Sequence, residues 1–416
     1  MSWFAFALLC LLGWGFADLF YKLGSDENDR YSHLKIAVWV GLVMGVCALV
    51  MLPFSESFAP GRQAVSEKGT YVYEEGAFTL TSESGSAFAA EEDDGEYLLS
   101  YAFADDEDAG GEFCIDPEEL LDALEAGETY EIRGEGLLKT LSLNSDGTYE
   151  FRRPGASFAD FISAALKYTP ASLCYIISMV IGYAGLRYLE LSIVSPVQNA
   201  SGAFSAVAML VFFSLKGTLS DHTDDFSAIN VIGVLFVAAG MVALAVVENR
   251  VNGRELKKED RRLRYGALAL IFPILYCVFD TIGTAADGII LDESTGLGVG
   301  EIDVLILYGL TFLLAGIAAW AYMFIKTKKA YNPFAKSEKY KGIAALCEEC
   351  GQIFYVYAMA AKPVLAAPVV ASYCIVSVIL SRVFVKEKLK LSQYLCVIAV
   401  IIGIVLMGIA EGIGEA

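Results

Sequence analysis

Residues 366–412 read AAPVVASYCIVSVILSRVFVKEKLKLSQYLCVIAVIIGIVLMGIAEG and belong to two long apolar segments. The first runs from Val364 to Val385 and the second from Leu395 to Ala410. Each is long enough to cross a hydrocarbon core of roughly 30 Å. A short basic loop, 386–390, joins them. The pattern predicts a hairpin of two membrane-spanning helices.

A second copy of this pattern lies earlier in the chain. A proline among small residues again opens a long apolar segment, and a further apolar segment follows it. The chain therefore reads as two five-helix units, and because five is odd, the units enter the membrane from opposite sides as an inverted repeat. The aligned residues are Ser195-Pro196-Val197 with Ala367-Pro368-Val369, Asn230 with Gln393, Gly240 with Gly403, Glu248 with Glu411, and Leu19 to Ser25 with Val278 to Thr284.

The C-terminal hairpin combines that proline, a Ser/Tyr helix face, a Lys-Glu-Lys-Leu turn and a glycine-containing last helix. In these features it resembles the end of the drug/metabolite transporter superfamily, specifically its EamA type. The resemblance covers the membrane part of the chain and is strongest in spans four, five, nine and ten. It implies an all-α membrane protein that moves a small polar metabolite, amino acid or drug-like compound by alternating access, driven by an ion or substrate gradient.

The sequence divides into five regions. These are helices 1 and 2 (1–54), an acidic α+β insert (55–157), helices 3 to 5 (158–248), a basic linker (249–264) and helices 6 to 10 (265–416). A short amphipathic segment, Ala156 to Lys167, is expected to lie at the interface before the third span. The predicted spans before the C-terminal hairpin are Trp3–Tyr21, Ile36–Phe54, Pro170–Leu186, Leu191–Leu215, Ala228–Val247, Tyr265–Ala286, Val304–Ile325 and Gly342–Ala361.

The insert carries the charge imbalance of the whole chain. The formal net charge is −20, and residues 54–160 hold 26 Asp and Glu against 6 Lys and Arg, so the remainder is neutral. Within the insert, 71–80 and 96–103 have strand character, and 137–153 predicts a hairpin that turns at Asn144 to Gly147. A short helix is expected from Asp116 to Gly127. The acidic patches 91–94 and 105–108 lack the ligand spacing of a calcium loop and read as solvated loops.

The basic residues of the short loops indicate an orientation. One face of the predicted bundle collects 21 of 23 such residues, which places both termini and the insert outside the cytoplasm. The family resemblance implies the opposite orientation, because ten-helix members usually keep both termini in the cytoplasm. The sequence leaves both orientations open, and the localisation expected in either case is the cell membrane.

Ionisable residues inside the predicted spans are the strongest functional candidates, because such groups are costly in a bilayer unless they face a cavity or a partner. Asp18 and Asp280 lie on repeat-related helices and are candidates for a coupling or substrate-contacting carboxylate. The alternative places both at helix ends in the interface. Glu348 is a further candidate for the pathway, with snorkelling as its alternative. Asp287 and Asp292, a few residues beyond Asp280, are expected to be fully solvated.

Polar side chains on spans four and nine form a second group, which repeat symmetry would pair across a central cavity. Their alternative role is interhelical hydrogen bonding, worth about 0.6 kcal/mol each. Four aromatic residues could line the same cavity or simply pack: Trp14, Tyr276, Tyr355 and Tyr357. The polar candidates are Ser195, Gln198, Asn199 and Ser201 in span four, with Ser372, Tyr373 and Ser377 in span nine.

The remaining chemistry of the sequence argues against an enzyme. There is no phosphate-binding loop, no GxSxG motif and no zinc spacing, and the two histidines, His33 and His222, lie in predicted loops. Cys347 and Cys350 could share a helix face, but no second Cys/His pair completes a metal site. No cofactor and no nucleic acid is expected. The expected partners are a small-molecule substrate and the lipid bilayer, with a coupling proton or cation and a homodimer as open options.

The rival hypothesis is a membrane-anchored sensor or binding protein in which the acidic insert is the working part. In that case the membrane spans would serve only as a scaffold. Removal of the insert separates the two hypotheses, because transport should survive it and sensing should not.

Overall fold

The computed structural model is mostly helical. It describes residues 2–26, 28–55, 65–74, 77–82, 87–93, 96–102, 111–115, 120–121, 123–124, 126–127, 129–133, 140–153, 158–186, 191–219, 227–255, 271–292, 299–385 and 391–414. Its helices are α1 (Trp3–Gly24), α2 (Ser32–Met51), α3 (Phe158–Gly185), α4 (Leu191–Asn199), α5 (Ser201–Lys216), α6 (Ala228–Glu255), α7 (Ile271–Ile290), α8 (Glu301–Thr327), α9 (Lys339–Ala361), α10 (Pro363–Ala371), α11 (Cys374–Leu380) and α12 (Leu391–Gly414). A π-helical turn, Ser381–Val385, follows α11.

Eight helical stretches of the described chain are long and apolar enough to cross a membrane. Two of the ten predicted spans are not among them. The apolar part of α6 is shorter, Ala228–Leu244, and α9 contains Lys341, Glu348 and Glu349, which lower its hydropathy. The eight stretches are Trp3–Gly24, Ser32–Phe54, Phe161–Gly185, Val197–Lys216, Ile271–Ile290, Glu301–Thr327, Pro363–Phe384 and Leu391–Ala410.

Helices α1 and α9 pack antiparallel along glycine contacts. A methyl group placed on Gly13 would lie 3.0 Å from Gly351 Cα, and one on Gly24 would lie 3.0 Å from Lys341 Cγ. Such small residues let two helix backbones approach closely, which is a main source of helix association in membranes. The polar helix α9 is therefore held along the length of an apolar helix.

Helices α6 and α12 form an antiparallel pair in which aligned residues of the two helices make equivalent contacts. A methyl group on Gly240 would meet Val400 Cγ2 at 2.5 Å and the Cys396 carbonyl oxygen at 3.3 Å. One on Gly403 would meet Val237 Cγ2 at 2.8 Å and the Gly233 carbonyl oxygen at 2.7 Å. In the alignment of the two halves, Gly240 corresponds to Gly403, Val237 to Val400 and Gly233 to Cys396. Each helix thus presents the same patch to the other, as in an interface with two-fold symmetry.

The predicted spans four and nine are each divided into two helices. The break between α4 and α5 lies at Ala200, and the break between α10 and α11 lies at Ser372 and Tyr373. Ala200 and Ser372 occupy equivalent positions in the alignment, four residues after Pro196 and Pro368. The Ser372 hydroxyl donates to the Val369 carbonyl oxygen at 2.5 Å. A backbone carbonyl at the break thereby accepts a hydrogen bond from a side chain.

The predicted amphipathic segment 156–167 and the predicted third span belong to one helix. From Phe158 onward α3 runs through both without interruption, with Pro170 in its interior. A proline removes a single backbone donor, and the apolar residues on both sides maintain the helix.

A compact unit separate from most of the helices contains the strands and comprises residues 52–166 and 295–303. Its larger sheet is antiparallel with strand order β2-β1-β8-β7-β6, and its smaller sheet has the order β3-β4-β5. The unit has its own apolar core, which includes Leu99, Leu141 and Phe151. The strands are β1 (Val65–Glu74), β2 (Ala77–Ser82), β3 (Ala87–Asp93), β4 (Glu96–Ala102), β5 (Gly111–Ile115), β6 (Tyr130–Arg133), β7 (Thr140–Leu143) and β8 (Thr148–Arg153).

The predicted turn between β7 and β8 is confirmed. The Asn144 backbone N–H donates to the Thr148 carbonyl oxygen at 2.8 Å, and Asp146 Oδ1 accepts from the Thr148 backbone N–H at 2.9 Å. Gly147 has a φ of 80°, which a residue without a Cβ adopts readily. The predicted helix start at Asp116 to Glu119 lies outside the described residues, as does most of the basic linker.

Ion pairs occur at the end of the helical unit where α2 and α9 begin. Lys35 Nζ lies 2.7 Å from Asp29 Oδ2, and Lys341 Nζ lies 2.6 Å from Glu338 Oε2. Burial acts against ionisation of Glu338, but the Lys341 ammonium holds the pKa of this carboxyl below its usual value. Part of the positive charge expected at this face is therefore neutralised locally.

Candidate functional site

A cavity lies inside the helical unit, next to both helix breaks. Six aromatic rings line it, together with two carboxylates, two amides and several hydroxyls. The aromatic residues are Trp14, Tyr175, Tyr276, Tyr308, Tyr355 and Tyr373, and the polar ones include Asn199, Ser201, Asp280, Thr284, Glu348 and Gln352. No Lys, Arg or His is among the described lining residues.

Asp280 reaches the cavity from α7 and contacts the first residue of α5. The Ser201 hydroxyl donates to Asp280 Oδ2 at 2.6 Å. The N-terminal end of a helix carries a partial positive charge, which favours a nearby anion. The break at Ala200 therefore creates the environment in which this carboxylate is held.

Asp18 forms a second carboxylate node with both broken segments. Its Oδ2 accepts hydrogen bonds from Ser195 Oγ at 2.6 Å and Ser377 Oγ at 2.7 Å. The node connects α1 with α4 and α11. Asp18, Ser195 and Ser377 are not among the described residues that line the cavity, so these three predicted residues lie together beside it.

Trp14 organises the aromatic wall. Its ring centroid lies 5.1 Å from that of Tyr355 and 5.5 Å from that of Tyr373, and its indole N–H donates to the Glu348 carbonyl oxygen at 3.2 Å. The close contact between α1 and α9 brings this ring into place, because Gly351 leaves room for it. The rings thus have fixed orientations toward the cavity.

The predicted site residues therefore fall into three groups. Asn199, Asp280, Tyr373 and Glu348 line the cavity, and Asp18, Ser195 and Ser377 form the adjacent node. The third group contains Gln198, which is buried beside Gly182, and Ser372, whose hydroxyl caps the helix break.

Three of the four aromatic candidates lie at the cavity. Trp14, Tyr276 and Tyr355 line the cavity, whereas Tyr357 is not among its described lining residues and stacks on Phe6 with ring centroids 5.5 Å apart. Sequence reasoning did not identify four further lining residues with polar side chains: Tyr175, Thr284, Tyr308 and Gln352. Thr284 could have been found, since it follows Asp280 by one helical turn.

The expectation that Asp287 and Asp292 are solvated is wrong. Asp287 has no exposed surface and Asp292 is 7% exposed. The described helix α7 ends four residues later than the predicted span, at Ile290, so Asp287 lies within it. Asp280, Thr284 and Asp287 consequently share one helix face.

The cysteines of α9 do not form part of this site. Cys350 is exposed and Cys347 is half-buried. Within the described residues, no group of three or more His, Cys, Asp or Glu side chains is arranged to hold a metal ion.

Comparison with known proteins finds a family that matches the C-terminal part of the chain. No curated protein matches the chain. With eight helical stretches able to span a bilayer, the chain is a multi-pass membrane protein, and its residues 294–409 match the EamA-like transporter family, as the resemblance of the C-terminal hairpin predicted.

Proposed function

We propose that this protein is a secondary transporter that moves a small polar metabolite, amino acid or drug-like compound across the cell membrane by alternating access. The observation that carries the proposal is the cavity at the two helix breaks, with Asp280 bound to the first residue of α5. In transporters, substrate sites commonly lie near the bilayer midplane where discontinuous helices meet. The EamA-like match of residues 294–409 supports the same class of function.

The proposed architecture is ten spanning helices in two inverted five-helix repeats, with the strand-containing region inserted between the second and third helices. Two observations support it. The helix breaks at Ala200 and Ser372 fall at aligned positions. Gly240 and Gly403 are also aligned, and each contacts the residues that correspond to those contacted by the other. Counting α6 and α9 as spans completes ten, and the close packing of α9 against α1 supports its inclusion.

We infer that the substrate carries a positively charged group. Two carboxylates line the cavity with no described basic residue to neutralise them, and six aromatic rings surround the same space. Aromatic faces attract cations by about 0.5–2 kcal/mol each, more when water is excluded. An amine or quaternary ammonium would place its charge near Asp280 and Glu348 and its apolar part against the rings.

The test is uptake by proteoliposomes containing the full chain. A panel of organic cations would be compared with neutral and anionic compounds of similar size, and the expected result is saturable uptake confined to cations. Asp280→Asn should abolish that uptake, while Asp26→Asn, an exposed loop carboxylate, should leave it unchanged. Preference for anions, or uptake equal in protein-free vesicles, would contradict the proposal.

The sensor hypothesis also has a supporting observation, because the strand-containing unit has its own apolar core. Deletion of residues 57–153 distinguishes the two functions. We expect a deletion variant that still inserts to retain cation uptake. Ligand-dependent signalling by the full chain that is lost in the deletion variant, with no uptake by the full chain, would favour the sensor.

A further inference from the structure

An apolar groove of about 190 Å³ is formed by α2, α8 and the loop that follows α8. It shares no described lining residue with the central cavity. Its volume exceeds the roughly 150 Å³ that holds a benzene molecule in another protein, so a stretch of hydrocarbon chain fits. The lining includes Val38 and Leu42 of α2, Ile317 and Trp320 of α8, and Pro333 and Phe334 of the loop.

The loop between α8 and α9 is tied to the helices beside the groove. The Trp320 indole N–H donates to the Tyr331 carbonyl oxygen at 3.1 Å, and the Tyr331 hydroxyl donates to Glu338 Oε2 at 3.1 Å. Phe334 packs edge-on against Trp39 with ring centroids 5.6 Å apart, yet 74% of its surface stays exposed. The groove is therefore continuous with this loop.

The same loop and the helix ends next to it carry an excess of positive charge. The stretch 326–341 has six lysines and a single acid, Glu338, which is already paired with Lys341 at 2.6 Å. The other five lysines are exposed, and none of them forms an ion pair within the described residues. They are Lys326, Lys328, Lys329, Lys336 and Lys339.

Helix stability does not account for these lysines. The C-terminal end of a helix favours a cation, which suits Lys326 in the last turn of α8, but the N-terminal end disfavours one, and Lys336 and Lys339 lie where α9 begins. Lys328 has a φ of 57°, in the left-handed region where a glycine would cost less. The side chains at these three positions therefore have a role outside the helices.

We propose that the groove and the lysines bind one anionic phospholipid of the adjacent leaflet, with an acyl chain in the groove and the phosphate on the lysines. Trp320 lies six residues before Lys326, about 9 Å along the helix, and Phe334 lies two residues before Lys336, so one lipid reaches both parts. Basic pockets between membrane helices bind such headgroups. A charge bias that served only to orient the protein would need the lysines but not the groove.

The two parts of the site contribute differently. An acyl chain gains little by leaving the bilayer for the groove, because lipid tails are as apolar as the groove itself. The lysines therefore provide the preference for an anionic lipid, and the groove fixes where that lipid lies. The proposal does not depend on the transport function.

Tryptophan quenching tests the site with the full chain in phosphatidylcholine vesicles. At equal amounts, we expect brominated phosphatidylglycerol to quench more than brominated phosphatidylcholine, and this excess quenching should disappear in Trp320→Phe. Lys328→Gln and Lys336→Gln should each weaken phosphatidylglycerol binding about fivefold. Lys216→Gln, which changes an exposed lysine at the end of α5, is the control and should have no effect. Equal quenching by the two lipids would overturn the proposal.

Two further variants separate the groove and the charge from the fold. Ile317→Phe places a ring in the groove and should abolish the excess quenching, whereas Leu314→Phe, exposed on the same helix but outside the groove, should preserve it. Lys328→Gly relieves the left-handed backbone, so it should keep or raise the melting temperature in neutral detergent while weakening the lipid preference.

Three outcomes would contradict the proposal. The first is excess quenching that survives in both Ile317→Phe and Lys328→Gly at full strength. The second is displacement of the lipid by inorganic phosphate at an ionic strength where chloride has no effect, which would assign the lysines to a free anion. The third is a dimer that Ile317→Phe dissociates, with no lipid preference, which would assign the groove to a second copy of the chain.

Discussion

Ser205 and Ser377 are aligned in the two proposed halves, and the hydroxyl of each lies within hydrogen-bond distance of the first helix of the opposite half. Ser377 donates to Asp18 Oδ2 on α1 at 2.7 Å, whereas Ser205 Oγ lies 3.2 Å from the Thr281 carbonyl oxygen on α7 and 2.8 Å from the Ser201 carbonyl oxygen on its own helix. The acceptors differ, since one is a backbone carbonyl and the other a carboxylate. The two halves are thus alike in where they touch and different in the chemistry of the contact.

This difference predicts unequal effects of matched substitutions. Ser377→Ala removes a hydrogen bond to a charged group, worth about 1.5–3 kcal/mol, whereas Ser205→Ala removes one to a neutral carbonyl, worth about 0.5–1.5 kcal/mol. Thermal unfolding in detergent should therefore show the larger loss for Ser377→Ala. An equal or reversed order would show that the Asp18 node is not a stabilising contact.

The equivalent contacts of Gly240 and Gly403 predict equal losses of stability when either glycine is replaced. Gly240→Leu and Gly403→Leu should each reduce the free energy of unfolding by about 1–3 kcal/mol, because each places a side chain in an equivalent close contact. Leu235→Ala on the exposed face of α6 is the control and should be nearly neutral. Tolerance of one leucine but not the other in the unfolding experiment would argue against the exchanged packing.

Asp280→Asn should abolish substrate movement while preserving the fold. The amide still accepts the hydrogen bond from Ser201 but cannot carry the charge that pairs with a cation. Uptake and its pH dependence in proteoliposomes provide the measurement, with size-exclusion profile and melting temperature as the folding controls. Unchanged uptake and pH dependence would show that Asp280 has no part in substrate movement.

The ion pair at Glu338 predicts a pH-dependent contribution to stability. The folded-state pKa of Glu338 is lowered, so the pair stabilises the fold above the unfolded-state pKa of about 4.3, and this stabilisation is lost as the pH falls through the lower folded-state value. Glu338→Gln should lower the melting temperature near neutral pH and have little effect in strong acid. A difference that persists in acid would assign the effect to packing.

The orientation is tested with a single accessible cysteine. Ser145 lies exposed in the turn between β7 and β8, so Ser145→Cys in a background without other cysteines offers a clear target. From the bias of basic residues we expect an impermeant maleimide to label it in intact cells. Labelling only after lysis would instead support the orientation usual in the family.

Sequence reasoning was most successful where one signal dominated. Turn residues fixed the β7–β8 hairpin around Gly147, and the C-terminal hairpin pointed to the family that residues 294–409 match. The break at Ala200 was not predicted, because hydropathy is continuous across it and the aligned prolines mark a position four residues away. Asp287 was misplaced because its depth depends on where α7 ends, and composition does not determine the end of an apolar helix.

The acidic interior has an electrical consequence. The cavity carboxylates Asp280 and Glu348 have no basic counterpart among the described lining residues, and Asp287 is buried about two helical turns beyond Asp280. Moving one elementary charge through the full membrane potential involves about 2.3 kcal/mol per 100 mV. A carrier that reorients with ionised carboxylates would therefore be driven or opposed by voltage, whereas the same carrier neutralised by bound cations would not. In the proposed cycle the membrane potential thus acts on the return of the empty carrier, and measured turnover should be voltage-dependent only when that return limits the rate.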